Sequence, residues 1–168
     1  VEASGWFIEA SSNRSKWILR AMKNRWFRLF ILIIERLTIP GIILHYVLRK
    51  RYLEEVARSS LQAGFNQFVI LGAGFDTLAL RLHREYPRVL FVEVDHPATQ
   101  QLKKRALESR QLPKANMRFI SVDFTRQSLE QTLLSYPEYN PNADTLFMAE
   151  GILMYLNAEE VTMLLSFI

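Results

Sequence analysis

The order of apolar and polar positions changes character about one third of the way along the chain. Before that point, apolar residues recur at helical spacing over residues 1–38 and again over residues 42–62. After it, short apolar runs alternate with segments of helical periodicity. The pattern therefore predicts an N-terminal helical region, residues 1–62, followed by a second domain, residues 63–168.

The second domain contains four short apolar runs of the kind found in buried parallel strands. The predicted strands are residues 67–71, 89–94, 117–122 and 145–149. The predicted helices are residues 77–86, 97–111 and 129–135, and a last helix capped by Asn157 with Glu160 at its third position. Repeated strand–helix units indicate an α/β fold, a Rossmann-like parallel sheet with helices on both faces, and we predict the strand order 3-2-1-4.

Composition removes several classes of site. The chain has 168 residues and no cysteine, so disulfides and thiolate metal sites are excluded. Its three histidines have no metal-ligand spacing, and we predict no metal. The absence of cysteine fits a reducing compartment, and we expect a cytoplasmic protein.

Charge is distributed unevenly along the chain. The first 58 residues carry +6 and the remaining residues carry −2, which gives a net charge of +4. A basic segment with Trp6, Trp17 and Trp26 suits nucleic acid, a membrane surface or packing on its own domain, and we favour packing, with no nucleic-acid partner. The apolar run 26–34 is too short to span a bilayer and is interrupted by Arg28.

Ligands of such sheets bind beyond the carboxyl ends of the strands, so the residues after each strand are the candidates. Gly72-Ala73-Gly74 follows the first strand, and two glycines around a small residue allow a tight turn and a close backbone approach to a ligand. Thr77 stands where a classical NAD site has its third glycine, which counts against a pyrophosphate ligand.

Acidic residues end the second strand. Asp95 lies about twenty residues beyond the glycines, the spacing at which a carboxylate binds ribose hydroxyls. Glu93 shares its strand face, and Asp95 is the outer of the two. The alternative is that Asp95 caps the following helix.

The third and fourth strands are also followed by candidate ligand-binding residues. Asp123 could accept from an adenine amino group and Phe124 could pack on the base, although Asp is common at helix caps as well. Glu150 follows the fourth strand, where a carboxylate either contacts a ligand or is paired with a nearby arginine. Together the four strand ends suggest a site for a nucleoside joined to an amino acid.

The motifs together identify a family. LGAGFDT (71–77), RL (81–82), EVDHP (93–97) with Lys103, VDF (122–124) and EGILMYL (150–156) resemble the leucine carboxyl methyltransferase family, in family order. The resemblance covers about three quarters of the chain, from about Pro40 onward. Its departure is Phe124, where the family usually has leucine.

The resemblance implies a class I methyltransferase fold that binds S-adenosyl-L-methionine across the strand ends. It places Gly72 against the cofactor, Asp95 on the ribose, Asp123 and Phe124 around the adenine, and Glu150 near the methionine end. It also implies an upstream arginine for the cofactor carboxylate, for which Arg49 is the best match and Arg51 the competitor. The fold has seven strands and four are predicted here, so we expect the chain to be part of that fold.

The implied reaction is methyl transfer to an oxygen, with a carboxylate of a small molecule or protein as the expected acceptor. A carboxylate is ionised at neutral pH and needs no general base, so no catalytic residue is assigned. A hydroxyl acceptor would need one, and His96 or Tyr155 would be the candidates. The rivals are an NAD-dependent oxidoreductase, a nucleic-acid methyltransferase, which would carry a Pro-Pro motif where Glu150-Gly151 stands, and a non-catalytic cofactor-binding fragment.

Overall fold

The computed structural model describes residue 21, residues 24–108 and residues 115–168. The chain divides into two compact units, Val1–Ser59 and Ser60–Ile168. The predicted helical segment over residues 1–20 and the end of the predicted helix 97–111 lie outside the described residues.

The N-terminal unit is helical where it is described. Helix α1 (Arg25–Thr38) begins at Asn24, whose side chain accepts from the Trp26 N–H at 2.9 Å, and α2 (Ile42–Gln62) follows after a short turn. Glu35 accepts from the Ile43 N–H at 3.0 Å and thereby links the two helices. No helix of the described residues is long and apolar enough to cross a membrane.

The second unit is a parallel four-stranded sheet with helices in its connections. Its strands are β1 (Gln67–Leu71), β2 (Leu90–Asp95), β3 (Met117–Ser121) and β4 (Thr145–Ala149). Its helices are α3 (Leu78–Leu82), α4 (Pro97–Glu108), α5 (Leu129–Leu134) and α6 (Ala158–Phe167), with a 3₁₀ turn at Leu153–Tyr155 before α6. The strand order is β3-β2-β1-β4 and every pairing is parallel, so the predicted fold class and strand order are confirmed.

Burial explains why these segments form a sheet. All five residues of β1 are buried, and the side chains of Val69, Leu71, Val92 and Val94 form one apolar cluster on a single face of β1 and β2. On the opposite face, the rings of Phe68 and Phe91 meet edge to face at 5.8 Å. This two-sided burial makes β1 and β2 the rigid centre from which the strand-end loops project.

Two predicted helix boundaries have informative outcomes. Asn157 and Glu160 form the predicted capping box of α6, with bonds of 2.9 and 2.7 Å. The predicted helix over residues 77–86 is wrong in length, because α3 ends at Leu82. The side-chain amide of Asn116 binds carbonyl groups just beyond that point, those of His83 and Tyr86, and so stabilises the early exit from the helix.

Candidate functional site

The turn after β1 is fastened to the end of β2. The amides of Gly72 and Ala73 both donate to the carbonyl oxygen of Val94, at 2.9 and 3.2 Å. Gly72 and Gly74 have φ of +64° and +46°, a conformation that favours glycine. Backbone therefore lines the carboxyl edge of the sheet here.

The two glycines have different surroundings. A Cβ at Gly72 would lie 2.8 Å from the Cβ of Ile152, which comes from the loop after β4. A Cβ at Gly74 would meet nothing closer than 3.9 Å. Gly72 therefore allows the β4 loop to pack against the turn, a contact that strand-end motifs in the sequence did not indicate.

Asp95, at the end of β2, holds this turn with its side chain. One carboxylate oxygen accepts from the Gly74 N–H and the other accepts from the His96 N–H at 2.6 Å. The cap of α4 is instead the His96 ring, whose Nδ1 accepts from the Ala98 N–H at 3.3 Å. The alternative role of Asp95 as helix cap is therefore wrong, and its nearly buried carboxylate faces the turn.

Asp123 follows β3 and is held by its neighbour Thr125. The Thr125 hydroxyl and N–H both donate to Asp123 Oδ1, at 2.6 and 3.1 Å. These bonds, the hydroxyl first, lower the pKa of Asp123, so the group is ionised at neutral pH. Its second oxygen lies 3.7 Å from the exposed Arg126 guanidinium.

A single cavity of about 440 Å³ joins these strand ends. Five predicted site residues line it: Gly72, Gly74, Asp95, Asp123 and Phe124. The other lining residues are His96, Thr99, Val122, Thr125, Gly151, Ile152, Tyr155 and Leu156. Its volume is in the range of small-molecule sites.

The lining suits a nucleoside. Two carboxylates, of Asp95 and Asp123, can accept hydrogen bonds from hydroxyl or amino groups, and Phe124 offers an aromatic face to a base. Ile152, Val122 and Leu156 give an apolar wall. Such a mixture of apolar surface with a few placed acceptors is typical of cofactor pockets.

Two predicted site residues, Glu150 and Arg49, are not among those that line the cavity. Glu150 is half-buried after β4. Since β4 itself is only partly buried, the expected burial cost of this carboxylate is smaller than the sequence suggested. Arg49 lies in α2 in the N-terminal unit, with its guanidinium 4.7 Å from the centre of the Tyr46 ring.

Sequence reasoning also missed a buried charged pair next to the site. Lys103 of α4 lies 2.6 Å from Glu93 of β2, and both side chains are fully buried. The signal in the sequence was a lysine on the apolar face of α4, at helical spacing from Gln100 and Leu107, which are also fully buried. Among the described residues, no group of His, Asp or Glu has the arrangement of a metal site.

Comparison with known proteins supplies relatives from several bacteria. The chain is 42% identical over 120 residues to the Bacillus subtilis (strain 168) protein named "Putative S-adenosyl-L-methionine-dependent methyltransferase YktD". A protein of the same functional name from Parafrankia sp. (strain EAN1pec) is 32% identical over 123 residues. The matches cover 70% and 73% of this chain but 38% and 39% of those relatives, so the chain spans less than two fifths of their length.

A solved structure has the same fold. An O-methyltransferase family protein from Burkholderia thailandensis superposes with a TM-score of 0.52 at 16% identity, over 71% of this chain and 33% of that one. The sheet thus has the fold of part of a class I methyltransferase. Residues 6–168 match the family model described as leucine carboxyl methyltransferase, and the chain belongs to that family.

Proposed function

We propose that this chain carries the S-adenosyl-L-methionine site of a methyltransferase that methylates an oxygen, with a carboxylate as acceptor. The observation that carries the proposal is the single cavity lined by Gly72, Gly74, Asp95, Asp123 and Phe124. The names of the relatives and of the family support the cofactor and the reaction class. The family name is the support for a carboxylate acceptor.

Asp95 is the proposed ribose ligand. Each of its carboxylate oxygens already accepts one backbone N–H, from Gly74 or His96, and each has a second lone pair for a hydroxyl. Because two backbone donors fix its orientation, the carboxylate is preorganised and loses little freedom on binding. This double use explains why an aspartate is suited to the end of β2.

Asp123 and Phe124 are the proposed adenine ligands. Since Thr125 keeps the Asp123 carboxylate ionised and oriented, one oxygen can accept from an exocyclic amino group. The ring of Phe124 packs partly against the apolar core and also lines the cavity, so it can stack on a base without a large loss of side-chain freedom.

The cofactor's other end is assigned more coarsely. We propose that Glu150 lies near the methionine end of the cofactor and that Arg49 binds the cofactor carboxylate, where a guanidinium fork gives two parallel hydrogen bonds. Arg51 is the competing arginine. Both assignments follow from the family motif.

The cofactor, when bound, supplies a methyl group on a positively charged sulfur. With the cofactor held by Asp95, Asp123 and Phe124, its methyl group would be available to an acceptor oxygen, and the electron pair of the carbon–sulfur bond would remain on sulfur. For an ionised carboxylate the opposite charges neutralise and no proton moves, so the chain's own task is to align the two groups and exclude water. No residue of this chain is proposed as a general acid or base.

The experiment is calorimetric titration of S-adenosylhomocysteine into the wild type, Asp95→Asn and Asp95→Ala. Loss of a charge-assisted bond, worth about 1.5–3 kcal/mol, weakens binding roughly tenfold to hundredfold. Asp95→Ala also lowers the melting temperature, because Gly74 and His96 lose their acceptor, whereas Asp95→Asn keeps one acceptor oxygen.

The matched control is Asp144→Ala, an exposed aspartate directly before β4 at the opposite edge of the sheet. It should bind as the wild type does. No binding by the wild type refutes the proposal, and binding without methyl transfer to any carboxylate favours the non-catalytic cofactor-binding fragment.

A further inference from the structure

The buried ion pair below the glycine turn is the feature that the proposed function leaves unused. Lys103 Nζ lies 2.6 Å from Glu93 Oε2, and neither side chain is exposed to solvent. Lysine is almost never fully buried unless it is paired, because its ammonium group loses its hydration. The burial of the Lys103 ammonium group, with its loss of hydration, therefore calls for a physical explanation.

Stability alone is a weak reason. Removing two charges from water costs several kcal/mol for each ion, and apolar residues of similar volume are often as stable or more stable. Here the cost is visible on Glu93: burial raises its pKa to about 7, Lys103 opposes the rise, and Asp76 and Asp95 add to it. The carboxylate therefore lies among two like charges and one opposite charge.

The second contact of Lys103 indicates its role. Its Nζ donates to the carbonyl oxygen of Asp76 at 2.7 Å. Asp76 ends the glycine turn: its N–H donates to Ala73 at 2.8 Å, and its Oδ1 accepts from the Leu78 N–H at 2.6 Å, where α3 begins. The ammonium group thus binds the residue at which the turn becomes a helix.

The segment from β2 to α4 therefore holds the turn at two points. Asp95 accepts from the Gly74 N–H in the middle of the turn, and Lys103, eight residues later, donates to the Asp76 carbonyl at its end. Glu93 lies on the same strand as Asp95 and provides the counter-charge that keeps the Lys103 ammonium in place. A neutral side chain at position 103 could not make the same charge-assisted bond.

We propose that Lys103 is a positioning residue for the cofactor site, which holds the glycine turn in its binding geometry through the Asp76 carbonyl, with Glu93 as its counter-ion. The inference rests on the proposed function for the identity of the ligand. It assigns no contact between Lys103 and the cofactor.

Three variants separate positioning from stability. Lys103→Met breaks the pair and leaves Glu93 buried alone, whereas Glu93→Met with Lys103→Met replaces both charges by apolar side chains of similar length. Lys104→Met, one residue along α4, is the control for the substitution itself. The readouts are the melting temperature and the affinity for S-adenosylhomocysteine.

We expect the single Lys103→Met variant to lose both stability and affinity. The double variant should recover most of the melting temperature yet bind at least about tenfold more weakly than the wild type, because the Asp76 carbonyl still lacks its donor. A double variant with the melting temperature and the affinity of the wild type would overturn the inference.

If the wild type does not bind S-adenosylhomocysteine, the proposed function is refuted but the role of Lys103 in the turn is still open to test. A measurement without ligand then provides that test. In hydrogen exchange, the amides of Asp76 and Leu78 should exchange at least about tenfold faster in the single and double variants than in the wild type. Amides of Val92 and Val94 in the adjacent strand are the internal reference. Unchanged exchange at Asp76 and Leu78 would overturn the inference.

Discussion

Side-chain hydrogen bonds hold the loops at both ends of the parallel strands, but the two ends use different chemistry. The amino ends of the strands form what we call the amino edge of the sheet, and the carboxyl ends form the carboxyl edge. At the amino edge, the Asn116 side chain binds the carbonyls of His83, Tyr86 and Val89 with its NH₂ group and the His83 ring with its oxygen. Burial lowers the pKa of His83 and keeps it neutral. Both polar atoms of the Asn116 side chain thus have neutral partners.

At the carboxyl ends of the strands the groups are ionisable, and some of their oxygen atoms lack hydrogen-bond partners. Glu93, Lys103, Asp95 and Asp123 lie at or beneath the cavity lining. Within the described residues, the buried Oε1 atoms of Glu93 and Gln100 have no hydrogen-bond partner. A network of neutral groups that satisfy one another stabilises a fold, whereas charges kept near an open cavity carry a cost that binding can justify.

The largest loss of stability is expected for a substitution at Gly72, the first glycine of the turn at the carboxyl edge. Gly72→Ala combines a positive φ, worth about 1–2 kcal/mol, with overpacking against Ile152, worth about 1–3 kcal/mol. Gly74→Ala has the same kind of strain but open space, and should lose about 1–2 kcal/mol. Urea unfolding of both variants measures the difference, and equal losses would contradict the Ile152 contact.

The pH dependence of stability is a second test of the carboxyl edge. Because the pKa of Glu93 is about 7 in the folded chain and near 4.3 in an unfolded one, the folded state holds the proton more tightly. The free energy of unfolding should therefore fall by about 3 kcal/mol as pH rises from about 4.5 to about 8, and level off above that pH.

The double variant Glu93→Met with Lys103→Met provides the reference curve, since it lacks the titrating pair. The wild type should lose stability relative to this variant over that pH window. Parallel curves from pH 4.5 to 8 would mean that Glu93 does not carry the shift.

A smaller effect is expected at the amino edge. Asn116→Ala leaves three carbonyl groups without their donor and should cost about 2 kcal/mol. Affinity for S-adenosylhomocysteine should not change, because Asn116 lies at the amino ends of the strands and the cavity lies at their carboxyl ends. A loss of affinity comparable to that of Asp95→Asn would break the distinction between the two edges.

The sheet was predictable from sequence because β1 and β2 are buried on both faces and are mainly apolar, with Gln67 in β1 and Glu93 and Asp95 in β2 as the polar residues. The acids after β2 and β3 were also predictable, since parallel strands bring their carboxyl ends to one edge. The contact of Ile152 with Gly72 and the bond from Lys103 to Asp76 were not, because they join residues 80 and 27 positions apart through tertiary packing. The helix after β1 was predicted too long because Asn116, which binds the carbonyls just beyond Leu82, lies more than 30 residues later in the sequence, directly before β3.

Mapping the ligand by NMR tests the central claim that the carboxyl edge is the cofactor site. On titration of S-adenosylhomocysteine into the ¹⁵N-labelled chain, the amides of Gly72, Gly74, His96 and Phe124 should shift, and those of Asn116 and Asn140 should not. Shifts confined to the amino edge, or no shifts at millimolar ligand, would contradict the account.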